Sequence, residues 1–167
     1  MICKLSQEDI EQVVGIFAQH PKDFNPLGIK KLKEELEEYA EESQSLEIKG
    51  FFVEKELSQV IGLIGYVMRP SNEYEITWLA VRKDWQRRGI GRKLLEYVEQ
   101  SLKSFRSEWL WLEVPNDPAT MNFYSAMGFS EETPLELSGR NKVIYRKKIL
   151  AFKPTFKAGI SRDGLWR

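Results

Sequence analysis

WLAVRKDWQRRGIGRKLLEYV, residues Trp78–Val98, is the stretch whose division decides the fold. Trp78–Val81 is a short apolar run, as in a strand buried on both faces, and from Ile90 onward the spacing changes. Apolar side chains then recur at Ile90, Leu94, Leu95, Val98, Leu102 and Phe105, one face of a helix. The join is Gln86-Arg87-Arg88-Gly89-Ile90-Gly91. Two glycines one residue apart let the backbone pass close to a bound group. The helix after them leaves its first N–H groups unpaired at the positive end of its dipole, an arrangement suited to an anion and to phosphate above all. Arg87, Arg88, Arg92 and Lys93 add formal positive charge at the same place.

Two better-known phosphate loops are excluded. The third glycine of the dinucleotide fingerprint falls on Leu94, and no Gly-Lys-Ser/Thr is present for a Walker loop. What remains is Gln-x-x-Gly-x-Gly between a strand and a long amphipathic helix.

Working outward, 167 residues suffice for one domain with its own core, without metal or disulfide staples. The 25 basic and 25 acidic residues cancel, so the whole chain has no electrostatic bias toward nucleic acid. The charge is uneven: residues 1–57 carry 13 acids and 7 bases, and residues 139–167 carry 9 bases and the single acid Asp163. One cysteine, Cys3, allows no internal disulfide and fits a reducing compartment. With no long apolar run and no basic-then-apolar leader, the expectation is a cytoplasmic protein without membrane contact.

In chain order, Ile2–Leu5 reads as a first strand, and Ser6 with Asp9 as a capping box opening a helix to about Gln19. His20–Gly28 has loop chemistry, and a second helix is expected over Ile29–Glu42, with Leu32, Leu36 and Tyr39 on its buried side and a run of glutamates elsewhere. Strands come next at Gly50–Glu54, Val60–Met68 and Tyr74–Val81. After the long helix come a strand at Trp109–Val114 and a short helix at Ala119–Ala126 opened by Asp117-Pro118. Gly128 serves as the helix's C-terminal cap. A last hairpin, Phe129–Leu137 and Val143–Leu150, turns across Ser138–Asn141. Residues 1–150 thus form one domain and 151–167 a basic tail.

Trp109–Phe129 reads WLWLEVPNDPATMNFYSAMGF. Its Phe123-Tyr124 pair followed by Gly128-Phe129, together with the Gln86–Gly91 loop, resembles the GNAT acetyltransferase superfamily. The first motif is that family's coenzyme loop, and the second contains its tyrosine. The resemblance implies an α+β domain with a mostly antiparallel central sheet, splayed between its fourth and fifth strands (Tyr74–Val81 and Trp109–Val114) and flanked by helices. It implies acetyl-CoA as co-substrate, with the pyrophosphate over Gln86, Arg87, Arg88, Gly89, Ile90, Gly91 and Arg92 and the pantetheine arm along Leu79, Ala80 and Val81. Seven residues before Tyr124, where the family usually has asparagine, this chain departs from the pattern with Asp117, and Asn116 is displaced by one; these two are the candidates for the family's coenzyme contact at that point.

Acetyl transfer from a thioester to an amine needs three things. The amine, with a pKa of about 10.4 if lysine-like or about 8 if an α-amine, must lose a proton. The carbonyl oxygen needs an N–H donor as it gathers charge, which by resemblance is a backbone amide of Leu79–Val81. The departing thiolate needs a proton, and a tyrosine, with a pKa of about 10, can supply it. By resemblance Tyr124 is the acid, and the base is Glu75 or Glu113, with Glu75 preferred for its place near the start of the strand leading to the loop. Cys3 lies too far upstream for a covalent route, and His20 reads as a partner for a helix end. No His, Cys or Asp cluster has metal spacing, so no metal is expected.

The function expected is transfer of acetyl from acetyl-CoA to a primary amine by direct attack in a ternary complex. The acceptor expected is a small-molecule amine, a protein N-terminus or a lysine, and the resemblance implies a pocket for it bordered by His20–Gly28, the acidic helix and the hairpin at Ser138–Asn141. Nucleic acid is not expected as a partner, and the resemblance allows a homodimer. The alternative is a non-catalytic acyl-CoA-binding regulatory module, which needs the loop but neither Tyr124 nor a base.

Overall fold

In the computed structural model, which describes residues 1–42, 45–105, 107–132 and 141–149, the apolar and alternating runs all enter one sheet. Its strands are β1 (Ile2–Lys4), β2 (Lys49–Glu56), β3 (Gln59–Met68), β4 (Tyr74–Val81), β5 (Trp109–Pro115), β6 (Ser130–Glu131) and β7 (Lys142–Lys148). They lie in the order β1-β2-β3-β4-β5-β7-β6. Every pairing is antiparallel except β4 with β5. That parallel contact is short, joining Tyr74 to Leu110 and Glu75 to Trp111, after which the strands diverge. The expected α+β architecture and its splay are both present.

Two helices cover each face. On one side α1 (Ile10–Ala18) and α2 (Pro26–Glu41) bury Val13, Phe17, Leu32 and Leu36 against Phe51, Val53 and Leu63. On the other, α3 (Ile90–Leu102) sets Leu94, Leu95, Val98 and Leu102, all 0 % exposed, against Ile64, Ile76 and Leu110. That burial is worth roughly 1.5–3 kcal/mol per side chain. The short α4 (Pro118–Ala126) adds Tyr124 to the same cluster.

Two boundaries differ from expectation for local reasons. The Ser6 and Asp9 pair does open a helical segment: Ser6 N–H and Oγ donate to Asp9 Oδ2 at 3.1 and 2.7 Å. The first turn, Gln7–Asp9, is 3₁₀, and α1 continues directly from it. The second helix begins at Pro26 rather than Ile29. Asn25 Oδ1 accepts from Gly28 N–H at 2.8 Å, and Pro26 sits where a missing N–H costs nothing, so this loop-like dipeptide is a cap. The tail 151–167, residues 133–137 of the expected strand and residues 138–140 of its turn lie outside the described residues.

A bulge in β4 decides which side chains reach each core. Gly65 pairs with Trp78 and Tyr66 with Ile76, leaving Thr77 as the extra residue. The bulge reverses the alternation: Tyr74 and Ile76 face the α3 core, whereas Trp78 and Ala80 face the α1 and α2 core. A Cβ on Gly65 would lie 2.4 Å from the Phe51 ring and 3.3 Å from Thr77 Oγ1. Gly65→Ala is therefore expected to cost about 1–3 kcal/mol by overpacking, read as a lower urea midpoint with an unchanged slope.

Candidate active site

Where β4 and β5 part, a cleft of about 700 Å³ opens between Ile76–Val81 and Leu112–Pro115. Its backbone character comes from the β3–β4 register. Arg82 N–H donates to Ile61 O across that ladder, so Arg82 and Ala80 direct their amides and carbonyls to β3. Leu79 and Val81 point theirs the other way, into the cleft. There Val81 O accepts from His20 Nε2 at 2.9 Å and from Gln86 Nε2 at 3.3 Å.

At one end the cleft meets the glycine loop, with Gln86, Arg87, Gly89, Ile90, Gly91 and Arg92 on its wall. Arg87 and Gly89 adopt positive φ, 59° and 78°, which turns the chain sharply into α3. Gly89 occupies the N-cap of α3 and has no side chain to satisfy the first amides, which are left for an anion. The basic cluster separates into two groups. Lys93 donates to Glu54 Oε1 at 2.6 Å, and Arg82 is engaged by Asp84 and Gln59. Glu54 is 3 % exposed. Burial favours its protonated form, but Lys93 and the N-terminal ammonium outweigh this and hold its carboxyl below the usual range. Arg88 stacks over Trp85 at 4.7 Å. Among the described residues no hydrogen bond or ion pair engages Arg87 or Arg92.

Tyr124 also borders the cleft, 6 % exposed, on the α3 and α4 side of the sheet. Burial raises its hydroxyl above the ordinary tyrosine range, so it keeps its proton at neutral pH. The two glutamates are placed differently. Glu113 borders the cleft, its side chain 43 % exposed and 3.0 Å from Lys142. It alternates along β5 with Leu112 and Val114, which join the core beside Tyr124, so its carboxylate is on the opposite face of the sheet. Glu75 sits where β4 and β5 are still paired, does not border the cleft, and is ion-paired with Arg69. Burial raises its carboxyl above the usual range despite Arg69, and the nearby Glu113 and Glu35 push the same way.

Asn116 and Asp117 are not on the wall either. Asp117 caps α4, accepting from Ala119 and Thr120 N–H at 3.1 Å each, and it is Ala119 and Thr120 that border the cleft. The structure adds residues that sequence patterns did not assign to the site. Phe24, Asp23 and His20 reach the cleft from the loop after α1, and Trp78 and Thr77 come from the bulged strand. The loop is expected from sequence to border the acceptor pocket, but no periodicity distinguishes its individual side chains. Trp78 packs near Phe24 and Phe17 and donates from Nε1 to Glu35 of α2 at 2.8 Å, tying the acidic helix to the same wall. Among the described residues no cluster of His, Cys, Asp or Glu could hold a metal, and no helix is long and apolar enough to cross a membrane.

Comparison with known proteins agrees with this geometry. A ribosomal protein bS18-alanine N-acetyltransferase from Salmonella typhimurium is 43% identical over 56 residues, and its Escherichia coli K12 counterpart is 41% identical over the same length. Each match covers 33% of this chain and 38% of the relative. Three solved structures share the fold across 89% of this chain. A putative GNAT acetyltransferase from Desulfovibrio desulfuricans has TM-score 0.78 at 23% identity, with 98% of that chain covered. The PaiA N-acetyltransferase of Thermoplasma acidophilum, in complex with coenzyme A, has TM-score 0.72 at 24% identity, also with 98% covered. The Escherichia coli ribosomal-protein-S18-alanine N-acetyltransferase has TM-score 0.66 at 21% identity, with 93% covered. The model of the acetyltransferase (GNAT) family matches residues 16–129, more than half of the sequence, and the chain belongs to that family.

Proposed function

We propose that this protein transfers the acetyl group of acetyl-CoA to a primary amine by direct attack in a ternary complex. The observation that carries the reading is the slot between β4 and β5, which opens to both faces of the sheet. Tyr124 lies on one face, Glu113 lies on the other, and an uncapped helix end stands at the mouth. A coenzyme and an amine can then enter from opposite sides and meet without a covalent enzyme intermediate.

The residues fit the coenzyme. The free amides at the start of α3, with Arg87 and Arg92, would hold its pyrophosphate, and the cleft-facing amides of Leu79 and Val81, with the Leu79 carbonyl, would pair with its amide-bearing arm. The coenzyme supplies an activated acyl thioester. The protein's part is to hold the carbonyl against a β4 amide as charge grows on its oxygen, to take a proton from the acceptor ammonium so that the free amine can attack, and to return one to the leaving sulfur. Tyr124 is suited to the last step because burial keeps it protonated. Glu113 is assigned the base because it stands in the slot and partly in water. Glu75 is the second reading: burial raises its carboxyl above the usual range, which makes it a stronger proton acceptor than an ordinary glutamate, acting through a bridging water.

For the acceptor, the N-terminal alanine named for the sequence relatives makes a protein N-terminus the first class to test. Glu113, which borders the slot with only an exposed lysine beside it, favours a cationic amine of either kind.

Purified protein is expected to release free CoA from acetyl-CoA with at least one member of a panel of peptides and small amines. Binding without turnover on every member would favour a non-catalytic acyl-CoA-binding module instead. Tyr124→Phe and Glu113→Gln should each lower kcat/KM by about 10²-fold or more. Arg87→Ala with Arg92→Ala should raise the KM for acetyl-CoA while sparing kcat.

The pH profile separates the two bases. A base acts once deprotonated, so activity rises with pH through its pKa. If Glu75 serves, the acid limb of kcat/KM lies above the ordinary glutamate range and vanishes in Glu75→Gln. An acid acts while protonated, and the raised value of Tyr124 means that activity should persist past pH ~10, where an ordinary tyrosine ionises.

A further inference from the structure

His20 joins the two halves of the cleft through opposite ends of one residue. Its ring reaches β4, with Nε2 2.9 Å from Val81 O. A carbonyl can only accept, so Nε2 carries the hydrogen. The same carbonyl accepts from Gln86, the first residue of the glycine loop, and the neighbouring Gln19 Oε1 accepts from Lys83 N–H at 3.0 Å. The backbone carbonyl of His20 does the other work. It accepts from Asp23 N–H at 3.1 Å and Phe24 N–H at 2.9 Å, closing the turn that presents Asp23 and Phe24 to the acceptor side. Val81 O faces the cleft and is where a coenzyme arm would lie along β4. A shift of that carbonyl reaches the acceptor loop within one side chain.

We propose that His20 is a positioning residue coupling the coenzyme loop to the acceptor loop, so that filling the coenzyme side orders residues 19–25 for the amine. The coupling is reciprocal: whatever factor the coenzyme lends to acceptor affinity, the acceptor lends to the coenzyme. The inference rests on the coenzyme reading above, and the test keeps the two apart.

Amide hydrogen exchange is measured on the full chain with and without saturating CoA, in the parent, His20→Ala and His20→Gln. The thermal transition of each variant confirms that it folds. In the parent, CoA should slow exchange at residues 83–92 and, by at least about threefold, at 19–25. In His20→Ala the slowing at 83–92 should remain and that at 19–25 should disappear. His20→Gln, which keeps a donor, should restore it. Should His20→Ala fail to fold, His20→Phe fills the space without a donor and carries the same expectation. A response at 19–25 that survives loss of the donor overturns the proposal. So does a parent in which CoA slows 83–92 and leaves 19–25 unchanged. If CoA slows neither segment in the parent, the coenzyme reading itself falls.

Discussion

Two strands that pair for two residues and then part are the constraint around which this molecule is arranged. Beyond Glu75 and Trp111, β4 carries a row of amides and carbonyls facing no strand. Unpaired backbone groups away from water are costly, so an opening of this kind persists only where each group has another partner. Here one carbonyl, that of Val81, is taken by His20 and Gln86, and the rest face a cleft that water or a substrate's own amides can fill. Each strand is stabilised on its far side. β4 pairs with β3 along its length, and β5 pairs with β7 from Trp109 to Pro115. The gap is therefore held open from both sides by ladders, β5–β7 without a break and β3–β4 interrupted at Thr77.

The charges are organised by the same opening. The basic residues between Arg82 and Lys93 invite a reading as one anion-binding patch, yet the fold uses part of it for itself. Lys93 neutralises a buried glutamate and Arg82 is held by Asp84, which leaves Arg87 and Arg92 turned to the cleft. The acids divide similarly. Glu75 answers Arg69, and Glu73 answers Arg146, which also lies over Trp109 at 4.0 Å. Glu113 remains at the slot with an exposed lysine for company. Formal charge in the sequence overstates what is available to a ligand, because the fold takes up charges in ion pairs, some local, as Arg82 with Asp84, and some between residues far apart in the chain, as Lys93 with Glu54.

The bulge at Thr77 is a small irregularity with a large consequence. Without it, Trp78 would continue the face of Tyr74 and Ile76 and enter the α3 core. With it, the indole turns to the side of α2, meets Glu35 and Phe24, and walls the cleft. No alternation count along YEITWLAV shows this, since a one-residue insertion is recognised only against the partner strand, and the Gly65 that makes room for it lies on that other strand.

Local information in the chain determined the elements and the motif positions. The change of period at Ile90, the glycines at 89 and 91, the Asp117-Pro118 cap and the Tyr124 spacing are read within one or two turns of backbone, where propensity and capping act. Pro26 was misleading only because a proline at the first helical position looks like a loop until its cap is seen. Tertiary structure alone decided which charges are taken up by the fold, that Glu113 rather than Glu75 borders the opening, that Asp117 serves a helix, and that His20 spans the two loops. These depend on strand register and on contacts between residues as far apart as His20 and Val81. Such contacts arise from packing two half-sheets and their helices together, and no periodicity along the chain encodes them.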